Sequence, residues 1–407
     1  MNAVLPRRWL RFLPLVAPRP LRIVRGEGAY VWDEDDRRYL DLDGDDGAAL
    51  LGHGQSLVVE AMTRQLTRVT ALNAAVDSDA RDELVEALSV VTPDALTDVT
   101  IVESGTQAVA AAVTAARLVT RRRRIIVMTG AARGPLPEPG VQRSRMLHRV
   151  VRAGDTMSVP FGDVEALDAV LNETVAAVIV EPVQVDAGVH VPPDGYLAAA
   201  ARACRRHDVL LIADEVDTAL RGGALLQCTR DQVTPDMLCL GRSLAGGLPI
   251  GVVAMRSEVA RRLRLRPGWL RDAKSGSPLV FTAAAATLSI VTNPTLQTHA
   301  ATVGEHFLAR LRALRIAQIR EVRGRGLMIG LEMTQNAAGI LLALQERGIL
   351  AIPGNNNVIR LMPPLILERR QADDAVETLA TAVRSARRAA GDTEVSLTGV
   401  ASRSVRR

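Results

Sequence analysis

The sequence predicts an α/β protein built around a doubly wound, mainly parallel β-sheet. Short apolar runs, typical of buried strands, alternate with stretches of helical spacing between residues 99 and 255. Polar or glycine-rich segments follow several of these runs, at the sheet edge where open α/β proteins hold their ligands. A chain of 407 residues has room for more than one domain.

Each element is predicted from local spacing. Residues 26–54 alternate apolar positions with acidic turns and predict a β-hairpin or meander, while residues 56–92 have helical spacing. The predicted strands of the large sheet are 99–102, 124–128, 176–180, 209–212, 237–240 and 252–255. Helices are predicted at 105–116, 196–207, 281–291, 302–314, 338–348 and 371–388, with an arginine-rich helix after the last strand. The segments 322–333 and 357–365 flank the helix at 338–348 in the predicted C-terminal domain, and a proline- and arginine-rich loop is predicted at 135–150.

Four regions follow from this pattern. Residues 1–45 are predicted to form an N-terminal arm and part of a small domain, and residues 46–295 a large domain. Residues 296–390 are predicted to complete the small domain. Residues 391–407 are small, polar and arginine-ended, which predicts a disordered tail.

Composition excludes several classes of function. The net charge is only +5 and the basic residues are scattered, so a solvated surface is expected and no nucleic-acid groove. No zinc-ligand spacing is present, and the longest apolar run is too short to span a membrane. Three unpatterned cysteines predict buried free thiols in a reducing compartment, hence a cytoplasmic protein without a metal site.

A candidate anion-binding turn lies between the strand 99–102 and the alanine-rich helix that follows. Ser104, Gly105 and Thr106 stand where backbone N–H groups and the helix dipole favour an anion. Any turn from strand to helix can have this pattern, so the motif alone is weak.

A second candidate segment is residues 209–251. Its first strand ends in the carboxylates Asp214 and Glu215. Its second strand leads into Gly241-Arg242-Ser243 and then the glycine-rich run 246–251.

Together these motifs resemble the class III aminotransferases, the pyridoxal-phosphate enzymes of fold type I. The resemblance rests on D-E-V at 214–216, P-D at 235–236, G-G-L-P-I-G at 246–251 and S-G-T at 104–106, and covers about residues 22–387. It implies a large cofactor-binding domain, a small α+β domain from both termini, and a dimer with sites at the subunit interface.

The resemblance assigns roles to several residues. It implies that Ser104, Gly105 and Thr106 hold the cofactor phosphate, that Asp214 pairs with the pyridine nitrogen, and that Arg360 holds a substrate carboxylate. Two plainer interpretations stay open, since Asp214 can be a strand-end cap and Arg360 an ordinary ion-pair partner.

The departures from the family pattern concern its chemistry. Arg242 stands at the position of the lysine that holds the cofactor, and a guanidinium cannot replace a primary amine there. Ala132 and Arg133 stand where the family has a stacking aromatic residue and a histidine. Lys274 is the only lysine in the chain. It lies on the loop that in the family reaches the partner's phosphate site.

The charges around the predicted site allow two interpretations. Cationic side chains at several site positions suit an anionic, even polyanionic, small molecule; they are Arg133, Arg221, Arg242, Lys274 and Arg360. Alternatively, Arg242 fills the space of the lysine and pairs with Asp214 or with Asp217.

The leading hypothesis is a pseudoenzyme or accessory subunit that does not transaminate. We expect a homodimer, or a heterodimer with an active aminotransferase paralogue, with no covalently bound cofactor and weak binding of pyridoxal phosphate. One alternative is an enzyme repurposed to an anionic substrate, with Asp214, Glu215 or Glu181 as acid or base. Another is a residual aminotransferase that uses unanchored pyridoxamine phosphate.

Overall fold

The computed structural model describes residues 19, 21–73, 75–131, 151–266, 268–270, 276–354 and 356–389. Its centre is an eight-stranded sheet with the order β4-β11-β10-β9-β8-β5-β7-β6. Five neighbouring strands from β10 to β7 run parallel, whereas β11 and β6 are antiparallel to their neighbours. The strands are β4 (Asp98–Val102), β5 (Arg124–Met128), β6 (Val151–Ala153), β7 (Thr156–Val159), β8 (Val175–Val180), β9 (Leu210–Asp214), β10 (Met237–Leu240) and β11 (Gly251–Met255).

Both faces of this sheet are buried, which confirms the predicted doubly wound arrangement. Successive residues of one strand enter different hydrophobic clusters: Ile126 and Met128 enter one, Ile125 and Val127 the other. Because side chains alternate across a strand, one cluster lies on each face. This requirement explains why the strands read as continuous apolar runs.

Two smaller sheets join the ends of the chain. The first has the order β1-β2-β3-β14, and β14 pairs parallel with β3, so a C-terminal strand completes an N-terminal sheet. The second has the order β12-β13-β16-β15. Their strands are β1 (Ile23–Glu27), β2 (Tyr30–Asp33), β3 (Arg38–Asp41), β12 (Ile319–Arg325), β13 (Met328–Met333), β14 (Ile349–Leu350), β15 (Ile352–Pro353) and β16 (Val358–Leu361).

The helical segments pack on and between these sheets. They are α1 (Gly44–Gly47), α2 (Ser56–Leu66), α3 (Asp79–Val91), α4 (Gly105–Thr120), α5 (Val164–Asp168), α6 (Tyr196–Arg206), α7 (Gln227–Arg230), α8 (Ser257–Arg264), α9 (Pro278–Val291), α10 (Pro294–Ala313), α11 (Ala338–Glu346) and α12 (Arg369–Ala389). Alanine-rich α4 lies against the large sheet with five of its alanines buried to 99% or more, since small side chains permit a close approach.

Most predicted elements are confirmed, but the helix over 56–92 is two helices. After α2, the chain leaves helical geometry until Ser78, whose hydroxyl accepts a hydrogen bond from Arg81 N at 3.3 Å and starts α3. A serine N-cap followed by Asp79 and Asp82 is typical of a helix start. The helical spacing of apolar residues does not reveal this start. The predicted domain boundaries stay a prediction, and the predicted loop 135–150 and tail 391–407 lie outside the described residues.

The described residues also bear on the predicted function classes. All three cysteines are free and buried, as predicted. No single described helix is long and apolar enough to cross a membrane, and α9 and α10 reach that length only together, across a 72° bend. Across the same described ranges, no cluster of three or more His, Cys, Asp or Glu side chains is arranged to hold a metal ion.

Candidate active site

Four of the predicted site residues lie around one cavity. The cavity has a volume of about 310 Å³, and Ser104, Gly105, Thr106 and Arg242 line it together with Asp45. Ser104–Thr106 follow the carboxyl end of β4, and Arg242 follows the end of β10. The topology of the sheet therefore brings together two motifs that stand 136 residues apart in the sequence.

The turn at Ser104 is a fully capped helix start. The Ser104 hydroxyl accepts a hydrogen bond from Gln107 N at 3.2 Å, and the Gln107 side chain accepts one from Glu103 N at 2.9 Å. The pair resembles a capping box, but the glutamine side chain binds the N–H of Glu103, the residue before the N-cap Ser104. It fixes the first turn of α4 beside the cavity, with the exposed Thr106 at its rim.

Three glycines allow the backbone to close around this turn. A Cβ atom on Gly105 would lie 2.3 Å from Val216 Cγ1, and one on Gly251 would lie 2.0 Å from the Ser104 carbonyl oxygen. One on Gly241 would lie 2.7 Å from Gly105 Cα. The position of the turn Ser104–Thr106 is therefore set by direct packing against the ends of β9, β10 and β11.

The carboxylates at the end of β9 differ in their surroundings. Asp214 is 5% exposed and accepts a hydrogen bond from Val216 N at 3.1 Å. Glu215 is fully buried and binds Cys228 N at 2.7 Å and the Thr218 hydroxyl at 2.5 Å. Burial raises the pKa of Glu215 although these hydrogen bonds lower it. Its contacts make Glu215 an anchor for the segment at α7.

Arg242 is held by two carboxylates. Its Nε donates to Asp217 Oδ1, and its NH1 lies 3.5 Å from Asp46 Oδ2. Burial acts to lower the pKa of Arg242, but Asp217 and Asp46 raise it by more, so the net shift is upward and the group is a permanent cation. The pairing of Arg242 with Asp217, one of the two partners expected from the sequence, is thereby confirmed.

Arg360 is also held by two carboxylates. On β16, its NH1 donates to Asp186 Oδ1 at 2.7 Å and its NH2 to Asp46 Oδ1 at 2.9 Å. The side chain is 8% exposed, and its Nε is buried without a hydrogen-bond partner among the described residues. The plainer interpretation, an ion-pair partner, therefore describes its observed state.

Arg221 was predicted to bind an anion, but it is buried and binds backbone carbonyl oxygens instead. It is 1% exposed, and its guanidinium donates to the carbonyl oxygens of Gly47, Met362 and Pro363, the last at 3.1 Å. Burial lowers its pKa to about 10, and the nearby charge of Arg242 acts in the same direction. These contacts join the Gly47 turn to the C-terminal part of the chain, so Arg221 has a structural role in the observed fold.

The site is not purely cationic, because carboxylates stand beside its arginines. Around the two guanidiniums of Arg242 and Arg360 stand three carboxylates, those of Asp46, Asp186 and Asp217. Neither Asp46 nor Asp186 was predicted from the sequence as a site residue. Asp186 follows β8 at the edge of the sheet where the parallel strands end, and this position could have marked it as a site residue. The contact between Asp46 and Arg360 could not have been predicted in this way, because 314 residues separate the two in the sequence. Ala132, Arg133 and Lys274 lie outside the described residues.

Comparison with known proteins gives consistent matches. The family model of aminotransferase class-III matches residues 15–136 and 143–383. An ornithine aminotransferase from an Exiguobacterium species is 32% identical over 375 residues, which cover 89% of this chain and 92% of that protein.

Solved structures agree with this match. The ornithine δ-aminotransferase of Plasmodium falciparum superimposes with a TM-score of 0.82 at 29% identity, covering 91% of this chain and 95% of that one. The ornithine aminotransferase of Toxoplasma gondii, crystallised with partial occupancy of pyridoxal phosphate at its active site, has a TM-score of 0.82 at 28% identity. That alignment covers 91% of this chain and 92% of the other.

Proposed function

Because the chain belongs to the class-III aminotransferase family, we propose that it keeps the family's fold and anion-binding turn but does not carry out lysine-dependent transamination. The architecture is that of the fold type I pyridoxal-phosphate transferases, and the relatives include ornithine aminotransferases. The departure that matters most for the chemistry is Arg242, which stands at the position of the family lysine.

The observation that carries the proposal is the setting of Arg242. A guanidinium is protonated at all physiological pH values and has no nucleophilic lone pair, so it can neither attach to an aldehyde nor shuttle a proton. Asp217 and Asp46 hold this group as a cation at the end of β10, beside the anion-binding turn. The residue at the position of the family lysine therefore serves as an ion-pair partner.

The described residues fit one part of pyridoxal phosphate and not another. The capped, glycine-packed start of α4 suits the phosphate, and buried Asp214 is a carboxylate of the kind that pairs with a pyridinium. A lysine for covalent attachment is lacking throughout the described residues. When bound in an active relative, the cofactor supplies an electron sink; here we propose weak, non-covalent binding through Ser104, Gly105 and Thr106.

The role that follows is an accessory one. We propose a homodimer, or a heterodimer with an active aminotransferase paralogue in which this chain completes or regulates the partner's site. The three buried free thiols favour a reducing compartment, and we place the protein in the cytoplasm.

The alternative of a repurposed acid–base enzyme has less support. Glu215 is fully buried and bonded to Cys228 N and Thr218, so it has no path to a ligand in this conformation. The carboxylates at Arg242 and Arg360 also reduce the attraction of the site for a polyanion.

A transamination assay of the purified protein tests the proposal. With added pyridoxal phosphate, ornithine as the amino donor and 2-oxoglutarate as the acceptor, we expect no turnover above that of the buffer. Arg242→Lys should retain visible absorbance from the cofactor after dialysis, whereas Arg256→Lys, an ion-paired arginine at Asp236, should not. Turnover by the wild-type protein at the rate of an active relative would refute the proposal.

A further inference from the structure

The segment Gly44–Gly47 has an unusual backbone. Its φ angles are +56° at Gly44, +56° at Asp45, +55° at Asp46 and +85° at Gly47, so four successive residues are left-handed. Glycine adopts this conformation readily, but Asp45 and Asp46 carry a Cβ that disfavours it. Such strain persists only where the surrounding structure holds it, and it is common at ligand clamps and switch regions.

Both ends of this left-handed turn are held in place. The Asp41 carboxylate at the end of β3 accepts a hydrogen bond from Gly44 N at 2.9 Å. At the other end, the buried guanidinium of Arg221 donates to the Gly47 carbonyl oxygen. The left-handed turn is therefore clamped from two sides, and its middle residues project from a fixed base.

The clamped turn places one carboxylate between two arginines. Asp46 Oδ1 lies 2.9 Å from Arg360 NH2, and Asp46 Oδ2 lies 3.5 Å from Arg242 NH1. A carboxylate is the group that a guanidinium binds best, and here each oxygen faces a different guanidinium. Asp45, the neighbouring residue of the turn, is exposed and lines the cavity.

Arg360 retains capacity for a further anion contact. Two of its nitrogens bind Asp186 and Asp46, while its buried Nε has no hydrogen-bond partner among the described residues. A ligand carboxylate arriving at this guanidinium would have to take the place of Asp46 on NH2.

We propose that Asp46 is a built-in counter-ligand, whose carboxylate occupies the position between Arg242 and Arg360 that a ligand carboxylate would take. It determines the specificity of the site by excluding free carboxylates. The inference rests on the proposed function, because a site that is not used for turnover of amino and keto acids can keep such a group permanently in place. A tethered carboxylate also has the advantage of a high effective concentration over a free one.

Removing the Asp46 carboxylate should convert this position into a site for a small carboxylate. Asp46→Gly keeps the left-handed backbone accessible and leaves two guanidiniums facing a vacant, carboxylate-sized space. Acetate is the probe, and chloride at equal ionic strength controls for screening. We expect acetate to raise the melting temperature of Asp46→Gly saturably, with an apparent affinity about tenfold tighter than for the wild-type protein.

Two further variants separate the carboxylate from the backbone. Asp36→Gly removes another left-handed aspartate, which lies in the turn between β2 and β3 and pairs with Arg25, and it should respond to acetate as the wild type does. Asp46→Asn keeps the shape and tolerates the left-handed backbone but loses the charge, so its response should be intermediate. This variant also provides the measurement if Asp46→Gly does not fold.

Equal acetate responses in the wild type, Asp46→Asn and Asp46→Gly would overturn the inference. That result would leave the proposed function untouched, because it says nothing about the amine chemistry. Conversely, turnover by the wild-type protein would refute the proposed function while the acetate comparison could still succeed.

Discussion

At the scale of single residues, the two partners of Arg242 differ in burial. The Asp217 side chain is 9% exposed and that of Asp46 is 40% exposed. An ion pair gains more from a partner shielded from water, while its loss leaves a charge that cannot easily be rehydrated. Asp217 is therefore the partner whose loss would leave a shielded charge, and Asp46 makes the connection to Arg360.

Truncating Arg242 should destabilise the protein measurably. For Arg242→Ala we expect the free energy of unfolding to fall by roughly 1–3 kcal/mol, because Asp217 loses a buried ion pair. Urea denaturation measures the change. The matched control is Arg68→Ala, which breaks an exposed pair with Asp79 at 3.0 Å and should cost less than about 1 kcal/mol.

Equal losses for the two variants would show that the Arg242 network is no stronger than a surface pair. In that case Arg242 would be a tolerated replacement with no structural role of its own.

At the scale of elements, the junction of β4 and α4 is the best specified part of the site. Its strand, its Ser-Gly-Thr turn and its helix were all predicted from the sequence, because capping and helix propensity act between neighbouring residues. The sequence also contains, three residues after Ser104, the glutamine whose side chain binds Glu103 N. The close packing of Gly105 against Val216 was not predictable, since it depends on how the end of β9 lies against the start of α4.

A side chain at Gly105 should disturb this junction. In Gly105→Ala the new Cβ would overlap Val216 Cγ1 at 2.3 Å, so either α4 or the end of β9 must move. We expect a loss of roughly 1–3 kcal/mol in the free energy of unfolding, typical of overpacking a core position. The control is Gly339→Ala in α11, where no atom lies within 4 Å, and there a helix-favouring alanine should be neutral or stabilising.

Both variants can be compared by thermal unfolding under the same conditions. A Gly105→Ala protein as stable as the wild type would mean that the turn is loosely packed. The glycine would then have no part in positioning an anion-binding site.

The conformation of the left-handed turn Gly44–Gly47 cannot be predicted from its own sequence. The run Asp-Gly-Asp-Asp-Gly at 43–47 predicts a turn, since both residue types favour turns. Its conformation depends on Arg221 and Arg360, which lie 174 and 314 residues away from their partners in the turn. No pattern within the segment indicates that Asp46 would reach a guanidinium.

At the scale of the whole molecule, the fold was predictable and the charge network was not. The period of the apolar residues and their alternation with helices specify a sheet that is buried on both faces. The network, by contrast, takes Asp46, Asp186, Asp217, Arg242 and Arg360 from five separate segments. Their sequence pattern suggested an excess of positive charge. Asp217 was expected as one possible partner of Arg242, whereas only the fold shows that Asp46 and Asp186 compensate Arg242 and Arg360.

The central claim is that no lysine of this chain holds pyridoxal phosphate covalently. Its most direct test is to incubate the purified full-length protein with pyridoxal phosphate, reduce it with borohydride, and map the peptides by mass spectrometry. Lys274, the only lysine, is the sole side-chain amine that the treatment could label. We predict a peptide containing unmodified Lys274 and loss of the cofactor on dialysis of the unreduced sample. A stoichiometric pyridoxyl adduct on Lys274 would contradict the claim and identify an enzyme with a relocated amine.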